Sequence, residues 1–259
     1  MIMSKSMPLI DRKTIVIKLG GSMLSGLNEA FFESLKKNLE QGIQVIIVHG
    51  GGPAINAALE KNNIEYKKVN GIRYTSKDAV NIVKQALIEE VNPFLTSELN
   101  AADIPSVGLN GIDGSIFESE FLDQDTYGYV GKIQKVNIDC IQSYIDDGKV
   151  PVIACFGATS DGIPLNINGD TVASDIALAI GADVLLLVTD TSGIKINDQV
   201  QKVVNPKKIR QWIRSEDIYG GMIPKVQAAI DCLESGIPEI RIVDQKFEGT
   251  KITKEGVLL

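Results

Sequence analysis

Two apolar stretches run directly into glycines: TIVIKLGGS at 14–22 and VIIVHGGGP at 45–53. Gly20, Gly21, Gly51 and Gly52 carry no Cβ, so main-chain N–H groups there can approach a phosphate or carboxylate closely. In open α/β sheets, ligands bind beyond the carboxyl ends of the strands, where helix N-termini face the crevice. Taken singly, each loop is equally a tight turn. Two of them after two buried strands favour an anion site. Lys18 closes the first stretch, where an unpaired charge is disfavoured, although its stem could also carry the ammonium out to water. Lys225 follows a further glycine pair in GGMIPK at 220–225. Between them, NINGD (166–170) places Asp170 at the entrance to a helical pattern, where aspartate on its own reads as an N-cap. Familiar nucleotide signatures fail: no GxxxxGK[ST] occurs, and Ile55 stands where GxGxxG needs its third glycine. A nicotinamide-binding fold is therefore a weaker alternative.

The elements that must position these residues alternate along the chain. Residues 14–18 and 43–49 read as buried strands, and 29–41 carries Phe31, Phe32, Leu35 and Leu39 at helical spacing. A helical pattern resumes at 54–61, with Pro53 suited to the first turn. Residues 76–102 are helical by period, and Pro93 is expected to kink or split that helix. A short strand at 106–109 precedes one or two antiparallel hairpins within 115–134. The cycle continues with a helix at 138–147, a continuous strand at 150–156, a helix at 171–180 and a strand at 183–189. It closes with a helix at 222–235 and a strand at 239–243. Such apolar strands between helices imply a parallel sheet covered on both faces. No repeat or low-complexity linker appears, so a boundary between two lobes, 1–170 and 171–259, falls inside one continuous sheet.

Composition narrows the partners. The chain has 259 residues, 44% hydrophobic and 23% charged, with a formal net charge of −7. Nucleic-acid and anionic-membrane surfaces are disfavoured, because they call for clustered Lys and Arg. No apolar run approaches the roughly 20 residues of a membrane span, and the first residues lack the apolar core of a signal peptide. Three cysteines without CxxC spacing fit a reducing compartment and offer no zinc site. Cys155 reads as a core residue. A cytoplasmic protein acting on small molecules is expected.

Eight ordered segments resemble the amino acid kinase family, and most closely its branch acting on N-acetyl-L-glutamate: KLGGS (18–22), HGGGP (49–53), NGIRYT (70–75), GLNGIDG (108–114), YVGK (129–132), NINGD (166–170), TDTSGI (189–194) and GGMIPK (220–225). The resemblance implies a three-layer αβα sandwich with a mostly parallel sheet of about eight strands. The N-terminal lobe would bind the acyl-amino acid and dimerise, and the C-terminal lobe would bind ATP. Lys18 and Lys225 would be the catalytic lysines and Asp170 the carboxylate that orients them. Gly51, Gly52, Arg73 and Asn166 would contact N-acetyl-L-glutamate. The nucleotide would meet Gly20, Gly21, Asp190, Ser192, Gly193, Gly220, Gly221 and Met222. Mg²⁺ would ride on the ATP phosphates without a metal site of the protein's own.

The implied reaction yields N-acetyl-L-glutamyl 5-phosphate and ADP, a step of arginine biosynthesis. A glutamate side chain is already ionised at neutral pH, so no general base is called for, and the single histidine, His49, is expected to brace the glycine loop. The short segment before Lys18, MIMSKSMPLIDRK, shows no amphipathic stripe, and the tail 245–259 looks abbreviated. Arginine-regulated members of the family usually carry a longer amphipathic N-terminal helix that links dimers into hexamers, and a longer C-terminal segment lining the arginine site, so the resemblance implies a homodimer without arginine feedback. Two alternatives stay open: the same chemistry on N-acetyl-L-2-aminoadipate or a carrier-linked analogue, and a non-catalytic amino-acid sensor on the same fold. The sensor reading would expect Lys18, Asp170 or Lys225 to be lost, and all three are present.

Overall fold

The computed structural model describes residues 12–256. The N-terminal extension, on which the expectation of a homodimer without arginine feedback partly rests, lies largely outside them.

Eight strands form the central sheet, in the order Val203–Val204, Gly249–Ile252, Glu239–Val243, Val184–Val188, Thr14–Leu19, Gln44–His49, Val150–Ala154 and Ser106–Asn110. The six from Glu239–Val243 to Ser106–Asn110 are parallel. Gly249–Ile252 runs antiparallel to its neighbour, and Val203–Val204 pairs parallel with it. Alternation along the strands fills two apolar layers. Val16, Ile46, Val48, Leu185 and Leu187 pack with Val172, Ile176, Val226 and Ile230 on one face. Ile15, Ile17, Val45, Ile47 and Leu186 pack with Phe31, Leu35, Leu95 and Leu99 on the other. The result is the expected αβα sandwich.

This parity already decides something about Lys18. It shares its side of the strand with Val16 and so faces the layer that holds the helix Gly169–Ala179.

Two expectations need correction, and the split expected at Pro93 takes a particular form: the α-helical run is interrupted just before it without losing its hydrogen-bonded continuity. The α-helix Lys77–Lys84 passes into a π-helical stretch, Gln85–Val91, and then into the α-helix Asn92–Ala101. Proline lacks an N–H and its ring crowds the carbonyl four residues back. The wider turn shifts the hydrogen-bond register just before it, with Asn92 N–H donating to the Leu87 carbonyl, five residues back. The strand expected over 150–156 ends at Ala154, and the chain restarts as Phe156–Ala158 in a different sheet. That second sheet, of four strands, was read from sequence only as hairpins. Phe117–Phe121 does pair antiparallel with Val130–Val136, but Pro164–Ile167 and Phe156–Ala158 extend it.

Candidate active site

The strands Thr14–Leu19 and Gln44–His49 are in register, Lys18 opposite Val48 and Leu19 opposite His49, so their glycine loops leave the sheet side by side. They touch. A Cβ built on Gly21 would stand 2.5 Å from the Gly52 nitrogen and 2.9 Å from Pro53 Cδ, which excludes any larger residue there. Gly52–Lys61 begins a helix at this point, with Pro53 in its first turn. Gly169–Ala179 and Met222–Glu234 begin beside the same crevice, so three helix N-termini bring partial positive charge to one region.

Lys18 Nζ lies 2.8 Å from Asp170 Oδ1, with side-chain exposures of 21% and 48%. Asp170 is not the N-cap of its helix. Asn168 is, its Oδ1 accepting from the N–H groups of Asp170 (2.8 Å) and Thr171 (3.2 Å). Capping by Asn168 leaves the Asp170 carboxylate free for the lysine, and Gly169 lets the elements close, since a Cβ there would sit 3.8 Å from Lys18 Cε and 3.3 Å from Cys155 Sγ. Cys155 itself is buried, which pushes its thiol up to about 12. It is an inert packing residue.

Lys225, in the first turn of its helix, donates to Thr189 Oγ1 (3.0 Å) and Asp190 Oδ1 (3.1 Å) at the end of the strand Val184–Val188. The Thr189 hydroxyl first, and Lys225 second, hold the Asp190 carboxyl below its usual range. Lys18, Gly20, Asp170, Asp190, Gly221 and Lys225 all line one hollow of about 340 Å³. The two lysines, 207 positions apart in sequence (225 − 18), therefore share a cavity. A hollow of about 520 Å³ at the opposite end of the sheet, between Lys36, Glu40, Asp103 and Lys149, is bordered by the helix-ending glycines Gly42 and Gly148 and by no helix N-terminus; size alone does not mark the site.

The other expected residues divide. Gly220 and Met222 flank Gly221 but are not in the wall of the hollow, and Met222 packs against the core. Ser192 and Gly193 also stand back from it. Gly193 has φ +103° and meets Thr250, whose hydroxyl accepts from the Ile194 N–H at 2.8 Å, so its residue type is fixed by packing. Arg73 and Asn166 lie apart from the hollow but are joined through Thr75. The fully buried Thr75 hydroxyl donates to the Arg73 carbonyl (3.3 Å) and accepts from Asn166 Nδ2 (3.1 Å). The Arg73 guanidinium donates to Asn56 Oδ1 and lies 4.6 Å from the Tyr66 ring centroid. Its Nη1 is buried without a partner. An orphaned guanidinium donor is costly unless an acceptor arrives.

Asn56, Tyr66, Thr75, Asn168 and Thr189 were not singled out by sequence reasoning. Thr189 and Asn168 had a usable signal, since each lies within two residues of a singled-out aspartate at an element end. Asn56 and Tyr66 had none, because their pairing with Arg73 depends on how a helix and a short hairpin meet.

Residues 13–244 match the sequence profile of the Amino acid kinase family. The chain belongs to that family. Acetylglutamate kinase of Bacillus subtilis is 40% identical over 251 residues, covering 94% of this chain and 97% of that protein. Acetylglutamate kinase of Geobacillus stearothermophilus is 40% identical over 256 residues, covering 95% and 99%. Among solved structures, that of smu.665 from Streptococcus mutans superposes with a TM-score of 0.83 at 35% identity, over 93% of this chain and 98% of that one. An N-acetylglutamate synthase from Neisseria gonorrhoeae has a TM-score of 0.79 at 19% identity, over 93% of this chain and 59% of that one. At that identity the likeness concerns the fold of the family alone.

Proposed function

We propose that this protein is an ATP-dependent kinase that phosphorylates the γ-carboxylate of N-acetyl-L-glutamate, giving N-acetyl-L-glutamyl 5-phosphate and ADP for arginine biosynthesis. The observation that carries the reading is the convergence of Lys18 and Lys225 on one hollow beside two touching glycine loops. The substrate comes from relatives named acetylglutamate kinase at 40% identity over nearly the whole chain.

In this reading a carboxylate oxygen forms a bond to the γ-phosphorus as the bond to the β–γ bridging oxygen breaks, and the electron pair leaves on ADP. No proton is transferred, because the acceptor is already an anion. The difficulty is repulsion between anions and the charge that moves onto the bridging and equatorial oxygens, which positioning and fixed cations relieve. Lys18, held by Asp170, faces the transferring phosphoryl group, and Lys225 faces the leaving side. The N–H groups of the glycine loops meet the oxygens between them. Arg73 takes the α-carboxylate with its fork, as its unpartnered Nη1 suggests. Asn166 has given one of its two N–H donors to Thr75 and keeps the other for the acetamido group.

Mg²⁺ neutralises charge on the β- and γ-phosphates when bound. Among the described residues no cluster of three or more His, Cys, Asp or Glu side chains is placed to hold a metal. The two acids of the hollow, Asp170 and Asp190, are each paired with a lysine.

The acyl-amino-acid part of the site falls within 1–170 and the nucleotide part within 171–259, apart from Lys18, Gly20 and Gly21 at their junction. We read these as two lobes on one sheet. A homodimer acting in the cytoplasm completes the proposal. Half-exposed Phe94, beside an apolar hollow with Leu24, Pro53 and Val91, is a surface a second copy could cover. Three free thiols fit a reducing compartment.

Trapping the product with hydroxylamine tests the chemistry. ATP with N-acetyl-L-glutamate should give the hydroxamate, faster than with N-acetyl-L-2-aminoadipate or unacetylated glutamate. No hydroxamate from any of the three would end the kinase reading, and preference for the longer homologue would reassign the substrate. Light scattering at one mass per chain would remove the dimer.

A further inference from the structure

His49 is fully buried at the end of its strand, immediately before the glycine loop. Its Nδ1 lies 2.9 Å from the Gly50 carbonyl oxygen and can only donate to it. Its Nε2 lies 2.9 Å from Asn92 Nδ2 and can only accept. The orientation of the Asn92 amide is fixed independently, because the second of its two Nδ2 hydrogens goes to the Val152 carbonyl (2.8 Å), with the Leu109 carbonyl at 3.3 Å as a weaker, shared acceptor. Turning the amide over would set Oδ1 against two carbonyl oxygens. Oδ1 instead faces Gly108, where a built Cβ would come within 2.1 Å of it.

The π-helical stretch explains how Asn92 reaches this position. Five residues span about 500° of a regular α-helix, leaving Leu87 and Asn92 on different sides. An i→i+5 hydrogen bond closes one turn between them, and the bond from Asn92 N–H to the Leu87 carbonyl is of that kind. Both side chains then meet the same loop. Asn92 holds His49, and Leu87 Cδ2 lies 2.6 Å from where a Cβ on Gly51 would stand.

We propose that Asn92, aligned with Leu87 by the π turn, is a positioning residue that fixes the Nδ1–H tautomer of His49 and thereby turns the Gly50 carbonyl toward the core. A carbonyl oxygen left facing the crevice would repel both the acceptor carboxylate and the transferred phosphoryl group. Tied to a neutral imidazole, it is withdrawn from them, and the loop of Gly51 and Gly52 presents donors alone. The inference rests on the acetylglutamate kinase reading for its link to catalysis, but not for its structural half.

The chain has a single histidine, so ¹⁵N NMR of tag-free protein reads one imidazole. The expected wild-type spectrum shows Nδ1 protonated and Nε2 bare throughout the neutral range. Asn92→Ala should give a mixture of tautomers and lower kcat/KM for N-acetyl-L-glutamate about 10- to 100-fold, the scale of a misplaced group, with KM for ATP unchanged. A residue that only supported the fold would lower Tm and leave the tautomer and both KM values of the folded fraction as they were. An Nε2–H tautomer in the wild type would overturn the proposal. So would Asn92→Ala with an altered tautomer and wild-type kinetics. Should that variant not fold, the milder Asn92→Ser and the wild-type spectrum carry the same outcomes. If the wild type makes no acyl phosphate, the kinase reading fails while the tautomer result still stands.

Discussion

The two lysine–carboxylate pairs of the hollow are built differently. Lys18 extends from a strand in the middle of the central sheet and meets an aspartate in the first turn of a helix capped by Asn168. Lys225 rises from the first turn of a helix that follows Gly220 at φ +57°, and its partner Asp190 has a side chain 74% exposed. In the first pair the lysine is mostly buried, at 21% exposure, and its half-exposed aspartate is fixed by a capped helix turn. The second is two solvated side chains whose contact contributes only about 0–1 kcal/mol. One half of the site is thus set before any ligand arrives. In the other, the proposed mechanism has the lysine leave a weak partner to meet the nucleotide, and little opposes that exchange.

The largest test of this contrast removes each lysine in turn. Lys18→Ala should lower kcat by about 10³-fold and Lys225→Ala by about 10²-fold, the range for losing one preorganised charge contact. Tm should change little for Lys225→Ala. Equal losses would say that the two pairs are equally preorganised in the complex. Near-normal turnover in both would end the assignment of either lysine to the chemistry.

Arg73 belongs to the prearranged half, with Asn56, Tyr66 and Thr75 already around it. Arg73→Lys replaces a planar fork with a point charge. KM for the acylated amino acid should rise about tenfold with kcat nearly unchanged, the loss of one hydrogen-bonded contact to a charged group. An unchanged KM would remove Arg73 from the substrate site and leave its buried Nη1 unexplained.

Much of this arrangement was legible in the sequence. The apolar strands, the glycines that end them and the lysines beside those glycines are local signals, and local signals survive translation into structure. What was not legible depends on register. Pro93 was expected to kink or split a helix, but single-residue rules do not anticipate that the interruption takes the form of a widened, π-helical stretch just before it. The restart at Phe156 was hidden because VPVIACF is apolar throughout, and only pairing with Pro164–Ile167 shows that the last residues belong to another sheet. Thr75 and Asn92 are ordinary residues whose importance comes from partners 91 and 43 positions away. No spacing within either segment announces those contacts.

His49 supplies a measurement of the buried half without substrate. Burial, opposed by its bond to Gly50, lowers its pKa from 6.5 to about 4. The unfolded chain therefore binds more protons than the folded one between those values. Stability is fully present above pH 6.5 and is lost as pH falls toward 4, by up to about 1.4 kcal/mol per pH unit from this group. Denaturant unfolding of the wild type across that window should show this slope, and His49→Gln should lack it. Parallel pH profiles for the two would place a titrating, solvated imidazole where the fold requires a neutral one.

The smallest effect is expected at Asp190, and it is the sharpest check on the open half. Its carboxyl is held low by Thr189 and Lys225, so whatever stability it adds is present at neutral pH and disappears as pH falls through the lowered value. Because the pair is exposed, that contribution is discounted to well under about 1 kcal/mol. Asp190→Asn should therefore leave Tm within experimental scatter. Freed of its carboxylate, Lys225 keeps the Thr189 hydroxyl as a partner, so kcat should fall less than in Lys225→Ala. KM for ATP should either hold or improve slightly, since the nucleotide no longer competes with a resident anion. A kcat loss as large as that of Lys225→Ala would mean that Asp190 holds the lysine in the reacting complex as well. The two pairs would then be alike in function, and the contrast in their burial would carry no mechanistic weight.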